Sequence, residues 1–401
     1  MLSIIKTRRI LFLIVIFYAF FGAGVLQMLG LLGVTTGTIL ISFFIFLFNM
    51  IVFYDKKKLT INKFEIVSVL FILYVIVVGE VHQTPILHSL MYTSYVFIPL
   101  SLYSLLKVVK TNSKNIFKIF SVISILQLPV LIFQLFFGDV LGQISSKKYS
   151  SADSLFGTFP IADDHGLGFF LIAIIGAYLF FYKRVSITGR LVIIFNIIGV
   201  LLIGSLVTKL LLLVIFGVYI MNLYNLSFKI NFSYALGVGL LIYIVIAHTN
   251  FLFFVAEFFD KSELINIGID KSSSLIEKAF AGRIQTVLYL YNNPILWIGN
   301  GPYSYFDPFK NVFTFNQNFS QLIWFYFDIG LIGIFFFFLW LGTLYKSVFK
   351  EQHPLKDFLF VAFFLYSFFT TVLNSITIVI IFFTFLYCIK TRCDKNEYHS
   401  K

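Results

Sequence analysis

Long apolar runs without a single charge dominate this chain, and they constrain its fold more than any other feature. Several reach about 20 residues, the length a helix needs to cross a hydrocarbon core. Lipid offers no partner to a backbone N–H or C=O, so a spanning segment must close its hydrogen bonds internally as a helix, or pair its strands in a closed barrel. The runs do not alternate apolar with polar residues, which removes the barrel. The expectation is an all-α, polytopic helical membrane protein. Composition agrees: apolar residues make up 59% of the 401 and charged residues only 12%, where a soluble domain carries about 25% charge.

About 12 spans are expected on the spanning-length criterion: 10–32, 36–54, 64–82, 86–106, 116–137, 166–182, 191–206, 210–225, 232–250, 320–345, 357–373 and 375–390. The run from Ile10 to Leu32 follows Lys6, Arg8 and Arg9. It is too long for a signal-peptide core and has no small-residue cleavage site, so it reads as a first spanning helix. Within 191–225 only Lys209 interrupts an otherwise apolar run, and it is taken as the connection between two helices. Residues 1–401 form a single polytopic membrane domain, with longer loops over 138–165 and 251–319. The second loop carries a helical pattern of apolar and aromatic residues and is expected to be ordered.

Orientation follows from the Lys and Arg of the short loops. With the N-terminus inside, most of the 30 basic residues fall in inside segments. Among them are Lys56, Lys57 and Lys58, the stretch from Lys107 to Lys118, Lys183 with Arg184 and Arg190, and the C-terminal group around Lys390 and Arg392. Acidic residues show the opposite bias. Both termini are therefore placed in the cytoplasm, and the net charge of +12 is a topology signal that needs no nucleic acid. The basic runs also suit anionic lipid headgroups. Cys388 and Cys393, the only two cysteines, supply neither a metal-ligand set nor a disulfide framework. No metal and no cofactor are expected.

Polar residues gather outside the spans. One group is Asp163, Asp164 and His165, preceded by Gly157-Thr158-Phe159. The other is a string running Gly282-Arg283-Ile284-Gln285, then Pro294 to Gly299-Asn300-Gly301-Pro302-Tyr303, then Gln317-Asn318, and the span that follows carries Asp328-Ile329-Gly330-Leu331-Ile332-Gly333. Pro294 ends a helix that starts near Arg283. Gly299 and Gly301 allow a tight turn that brings the chain back to the membrane.

This order of motifs resembles the O-antigen polymerase/ligase superfamily, the Wzy-type polymerases of O-antigen, capsule and exopolysaccharide and their ligase relatives. The resemblance covers nearly the whole chain. It rests on an Arg, an amphipathic helix, a Pro followed by Gly-Xaa-Gly, a polar pair, and a helix bearing Gly-Leu-Ile-Gly, together with Gly157-Thr158-Phe159 before a central helix. Two positions depart from it. Gln317-Asn318 stands where ligases carry His-Asn, which takes weight from the ligase reading. Lys209 stands where the family often has Arg, keeping charge but losing the bidentate fork.

The resemblance implies a GT-C-like glycosyltransferase of the cell envelope, metal-independent and inverting. It would act on the extracytoplasmic face of the bacterial cytoplasmic membrane. Donor and acceptor would be glycan repeat units on undecaprenyl diphosphate, and a chain-length regulator is a partner such enzymes admit. Cations must then neutralise the leaving diphosphate, for which Arg283 is the first candidate and Lys209 the second. A general base must assist the acceptor hydroxyl, and Asp163, Asp164 and His165 are the candidates, with Glu257 and Asp307 behind them.

Plainer readings stand beside these. Arg283 also suits an interfacial ion pair, Lys209 a solvated connection, and the Asp-Asp-His group a polar helix cap. Gly299 and Gly301 suit turn residues better than a phosphate cradle. Glu80, His82 and His248 fit ordinary interface positions. Two alternatives remain open, a ligase that moves finished glycan to another acceptor and a non-catalytic transporter or flippase of lipid-linked glycan.

Overall fold

The structure is a computed structural model. It describes residue 10 and residues 12–29, 41–50, 62–109, 113–144, 155–161, 163–182, 185–223, 294–307, 312–313, 320–348 and 353–399. The expected span 232–250, the helix before Pro294, and Arg283, Gln317, Asn318, His248 and Glu257 lie outside the described residues.

The described chain is helical. In order come α1 (Phe12–Gln27, with a π-turn at Tyr18–Gly22) and α2 (Ile41–Met50). Then follow α3 (Lys63–Val81), α4 (Ile86–Val109), α5 (Ser113–Ile144), α6 (Asp164–Phe181), α7 (Ile187–Leu202) and α8 (Leu206–Leu223). A two-residue hairpin, β1 (Phe306–Asp307) with β2 (Val312–Phe313), precedes α9 (Gln321–Thr343), α10 (Pro354–Phe369) and α11 (Ile376–His399). Among the described residues five helices are long and apolar enough to cross a membrane: α3, α4, α5, α6 and α9. This supports a helical membrane protein.

The boundary expected at Lys209 lies elsewhere. The break falls at Ile203–Ser205, and Lys209 sits inside α8. The reason is cap chemistry. Ser205 Oγ accepts the N–H of Thr208 at 3.4 Å and starts the helix, whereas a half-buried Lys at the fourth helical position leaves the helix intact.

The chain divides into two compact units. The first comprises residues 1–68, 94–229 and 344–401, the second residues 69–93 and 230–343. In the first unit α6 is the central element and packs on α5, α7, α8, α10 and α11. It is apolar nearly all round, with Gly166 through Ala177 buried, as a helix enclosed on every side must be. Small residues let neighbours approach: a Cβ on Gly168 would run into Thr208 of α8.

Ahead of α6, residues 155–161 thread the interior of the first unit without regular structure. Their backbone polar groups must find partners there, and three glutamines provide them. Gln134 clamps Gly157 from both sides, donating to its carbonyl at 2.7 Å and accepting its N–H at 2.8 Å. Gln127 accepts the N–H of Thr158 at 2.9 Å and donates to its hydroxyl at 2.8 Å. Gln27 accepts the N–H of Ile161 at 2.7 Å. The Thr158 hydroxyl then donates to the carbonyl of Phe20 at 2.6 Å. The Gly157-Thr158-Phe159 motif is thus a buried crossing of the bundle that delivers the chain to Asp163.

In the second unit α9 is interrupted at Gly330, where φ is 72° and ψ −172°. Such a break frees carbonyls before it and N–H groups after it, tolerable at membrane depth only when protein satisfies them. Segment 294–305 does so. Leu331 and Ile332 donate to the carbonyls of Leu296 and Trp297 at 2.9 and 3.1 Å, while Asn300 and Gly301 donate to those of Phe327 and Asp328 at 2.8 and 2.9 Å. Tyr74 of α3 caps the carbonyl of Ile329 at 2.7 Å.

Candidate functional site

Three helix N-termini meet in the first unit, and the Asp-Asp-His group lies where they meet. Asp163 caps α6 by accepting the N–H of Gly166 at 3.1 Å. The same Oδ1 accepts the hydroxyl of Ser375 at 2.9 Å, and Ser375 in turn starts α11 by accepting the N–H of Ile378 at 3.3 Å. His165, one turn into α6, has its Nδ1 2.9 Å from Ser205 Oγ, the residue that starts α8. Tyr366, fully buried near the end of α10, joins the group. Its hydroxyl is 2.5 Å from Thr208 Oγ1, and its ring meets the His165 ring edge-on at 5.8 Å.

The Asp163 carboxyl is pushed up to about 7, chiefly by burial and secondarily by the neighbouring Asp164 charge. Hydrogen bonds from Thr377, Ser375 and the Gly166 N–H pull the other way and do not cancel the burial. A carboxyl with this value exchanges a proton near neutral pH, the property a general base or acid needs. The positive ends of three helix dipoles face the same spot and favour negative charge there.

The polar-cap and catalytic readings of Asp163 are therefore compatible, because the capping oxygen belongs to a carboxyl held near neutrality. Lys209 lies one turn after Ser205 on α8, half-buried, with its N–H directed to the Ser205 carbonyl at 3.4 Å. The structure thus brings Asp163, Asp164, His165 and the Lys209 turn into one compact unit. Gly299, Gly301 and Asp307 belong to the other.

Gly299 and Gly301 have φ of 75° and 100°, conformations that only glycine adopts without strain. A Cβ on Gly299 would lie 2.5 Å from the Asp328 and Ile329 backbone. They are a docking surface for the broken α9, and the Gly301 N–H donates to the Asp328 carbonyl. Asp307 is half-exposed in β1, while Glu80 and His82 are exposed around the end of α3.

Sequence reasoning did not single out Asp328, Ser205, Thr208, Tyr366 or Ser375. Asp328 is 1% exposed and its Oδ1 accepts both the Ser304 hydroxyl and the Tyr305 N–H at 2.8 Å. A lone Asp in the middle of an apolar run was the available signal, since intramembrane carboxylates are retained for a reason. The hydroxyl residues carry no such signal, because Ser, Thr and Tyr are common in spanning helices.

No family model, no curated protein and no solved structure matches this chain. The class that its helices support is a helical membrane protein.

Proposed function

We propose that this protein is a membrane-embedded glycosyltransferase that joins lipid-linked oligosaccharide repeat units, in the manner of a Wzy-type polymerase. The observation that carries the reading is the Asp163 carboxyl, held near 7 where three helix N-termini converge and beside His165. In the proposed reaction Asp163 takes the proton of the acceptor sugar hydroxyl as that oxygen attacks the anomeric carbon of the donor. The bond from that carbon to the undecaprenyl diphosphate breaks, and the diphosphate leaves with the electron pair. The helix ends and Lys209 supply positive potential of the kind a leaving diphosphate requires, and the family resemblance adds Arg283 as a further candidate.

Among the described basic residues of the first unit, Lys114, Lys118, Arg190, Lys356 and Arg392 lie at the helix ends away from Asp163, with Lys209 at the Asp163 end. By the positive-inside rule this bias supports an extracytoplasmic Asp163 end. Purified protein in lipid vesicles, given authentic lipid-linked repeats, is expected to produce chains longer than one repeat. Arg283→Ala and Arg283→Lys at equal protein level are expected to produce few or none. Single repeats only, from active-looking wild-type protein, would remove the polymerase reading.

A further inference from the structure

The ends of α6 and α11 opposite Asp163 hold a second, separate cluster. Helix α6 runs 18 residues, roughly 27 Å, close to the ~30 Å of a hydrocarbon core. It carries Asp163 before one end and Phe181 and Tyr182 at the other. Helix α11 runs alongside from Ser375 to Arg392, and α10 runs back from His353 to Tyr366. One end of this helix trio therefore bears the candidate catalytic group, and the other bears Arg392.

Arg392 is held by aromatic rings. Its guanidinium carbon lies 4.2 Å from the centroid of Phe181, 5.1 Å from that of Tyr182 and 5.7 Å from that of Phe117. One N–H is given to the Tyr182 hydroxyl at 3.2 Å. Among the described residues no carboxylate pairs with it. A guanidinium held over aromatic rings, with one N–H given to Tyr182, has further N–H donors of its five to offer an oxyanion, a group Arg recognises with two parallel hydrogen bonds.

The surroundings share this chemistry. His353 lies against Phe181, with ring centroids 5.4 Å apart, and its Nδ1 accepts the N–H of Leu355 at 3.2 Å, so its remaining N–H is a neutral donor. Lys114 and Lys118 open α5 beside Phe117, Arg190 lies in the first turn of α7, and Lys390 precedes Arg392 by half a turn. Tyr178 and Tyr182 stack at 5.7 Å, the aromatic belt typical of a helix end at headgroup depth.

We propose that Arg392, framed by Phe117, Phe181 and Tyr182, binds the phosphate of an anionic phospholipid in the headgroup layer at this end of the protein. The phosphate takes the further N–H donors of Arg392, the surrounding lysines and Arg190 add long-range attraction, and the acyl chains lie along the exposed apolar faces of α5 and α7. The site is independent of the reaction proposed for the opposite end.

The test uses full-length protein in a neutral detergent. Thermal unfolding and lipid retention by native mass spectrometry are followed with short-chain phosphatidylglycerol, short-chain phosphatidylcholine, or inorganic phosphate. Phosphatidylglycerol is expected to be retained and to raise the melting temperature, phosphatidylcholine and phosphate alone much less. Arg392→Ala is expected to weaken phosphatidylglycerol retention about fivefold, the scale of one basic residue at an anionic surface, and Arg392→Lys, which keeps charge and fold, by less. Equal retention of both lipids, or unchanged retention in both variants, would overturn the proposal. Saturation by inorganic phosphate at similar concentration would overturn the lipid as its source.

Discussion

Asp163 Oδ1 accepts the hydroxyl of Ser375 at 2.9 Å, and this one bond joins the starting residues of α6 and α11, more than 200 positions apart in the chain. The carboxyl is pushed up to about 7 by its burial, so folding favours its protonated form. A group raised in this way contributes stability below its unfolded value, near 4, and loses that contribution as pH rises through about 7. Wild-type protein in detergent is therefore expected to melt at lower temperature at pH 8 than at pH 5.5. Asp163→Asn removes that part of the pH dependence and melts higher than wild type at pH 8. A pH profile of melting temperature that is identical in the two proteins would contradict this.

Activity has the opposite sign. The proposed general base works ionised, so turnover of wild type is expected to rise with pH and level off above about 7. Ser375→Ala removes a hydrogen bond to the charged form, and the midpoint of the profile should then move upward.

The broken helix α9 depends on its loop partner. Asp328→Ala takes the carboxylate acceptor from the buried Tyr305 N–H, at about 1 to 3 kcal/mol, and leaves the Ser304 hydroxyl with the longer bond to the Phe327 carbonyl at 3.3 Å. Asp328→Asn keeps an acceptor oxygen and is expected to cost less. Thermal unfolding of the two variants measures the difference, and equal melting temperatures would show that Oδ1 is not the anchor.

Gly330→Ala is expected to be more damaging than either. Its φ of 72° with ψ −172° is a conformation almost confined to glycine, with about 1 to 3 kcal/mol of strain for any other residue. A new Cβ would in addition lie 2.5 Å from the Trp297 carbonyl carbon. Membrane levels by blot should fall sharply for Gly330→Ala and little for Gly217→Ala, where the added carbon meets nothing within 4 Å.

Gln134→Ala uncouples Gly157 from α5 and leaves both a buried N–H and a buried C=O unpaired, on the order of 3 kcal/mol. Gln134→Glu retains the acceptor and is expected to fall between wild type and the alanine variant in melting temperature.

Apolar spacing made the helices legible in the sequence. The expected spans at 64–82, 86–106, 166–182 and 320–345 each correspond to a helix whose ends differ by a few residues. The Lys209 boundary was displaced because a lone charge marks a break less reliably than Ser205, whose side chain competes for the first helical N–H groups. The turn at Gly299 and Gly301 could be read from composition alone. Its purpose could not, because the partner that needs it is the interruption at Gly330, and nothing local announces which backbone groups a distant loop will satisfy. Gln27, Gln127 and Gln134 were hidden for the same reason: a glutamine in an apolar helix looks like a tolerated polar residue until the buried segment it serves is seen. The convergence at Asp163 brings together residues 163–166, 205–209, 366 and 375–377, an arrangement set by helix packing and not by any spacing in the chain.

The central claim is that Asp163 and His165 carry the joining of lipid-linked repeats, and complementation tests it most directly. A host lacking its own polymerase is supplied with wild type, Asp163→Asn or His165→Ala, and polymer length is read on a gel at equal membrane protein level. Wild type is expected to restore long polymer, Asp163→Asn to leave single repeats, and His165→Ala to shorten the chains. Full-length polymer from Asp163→Asn would contradict the account.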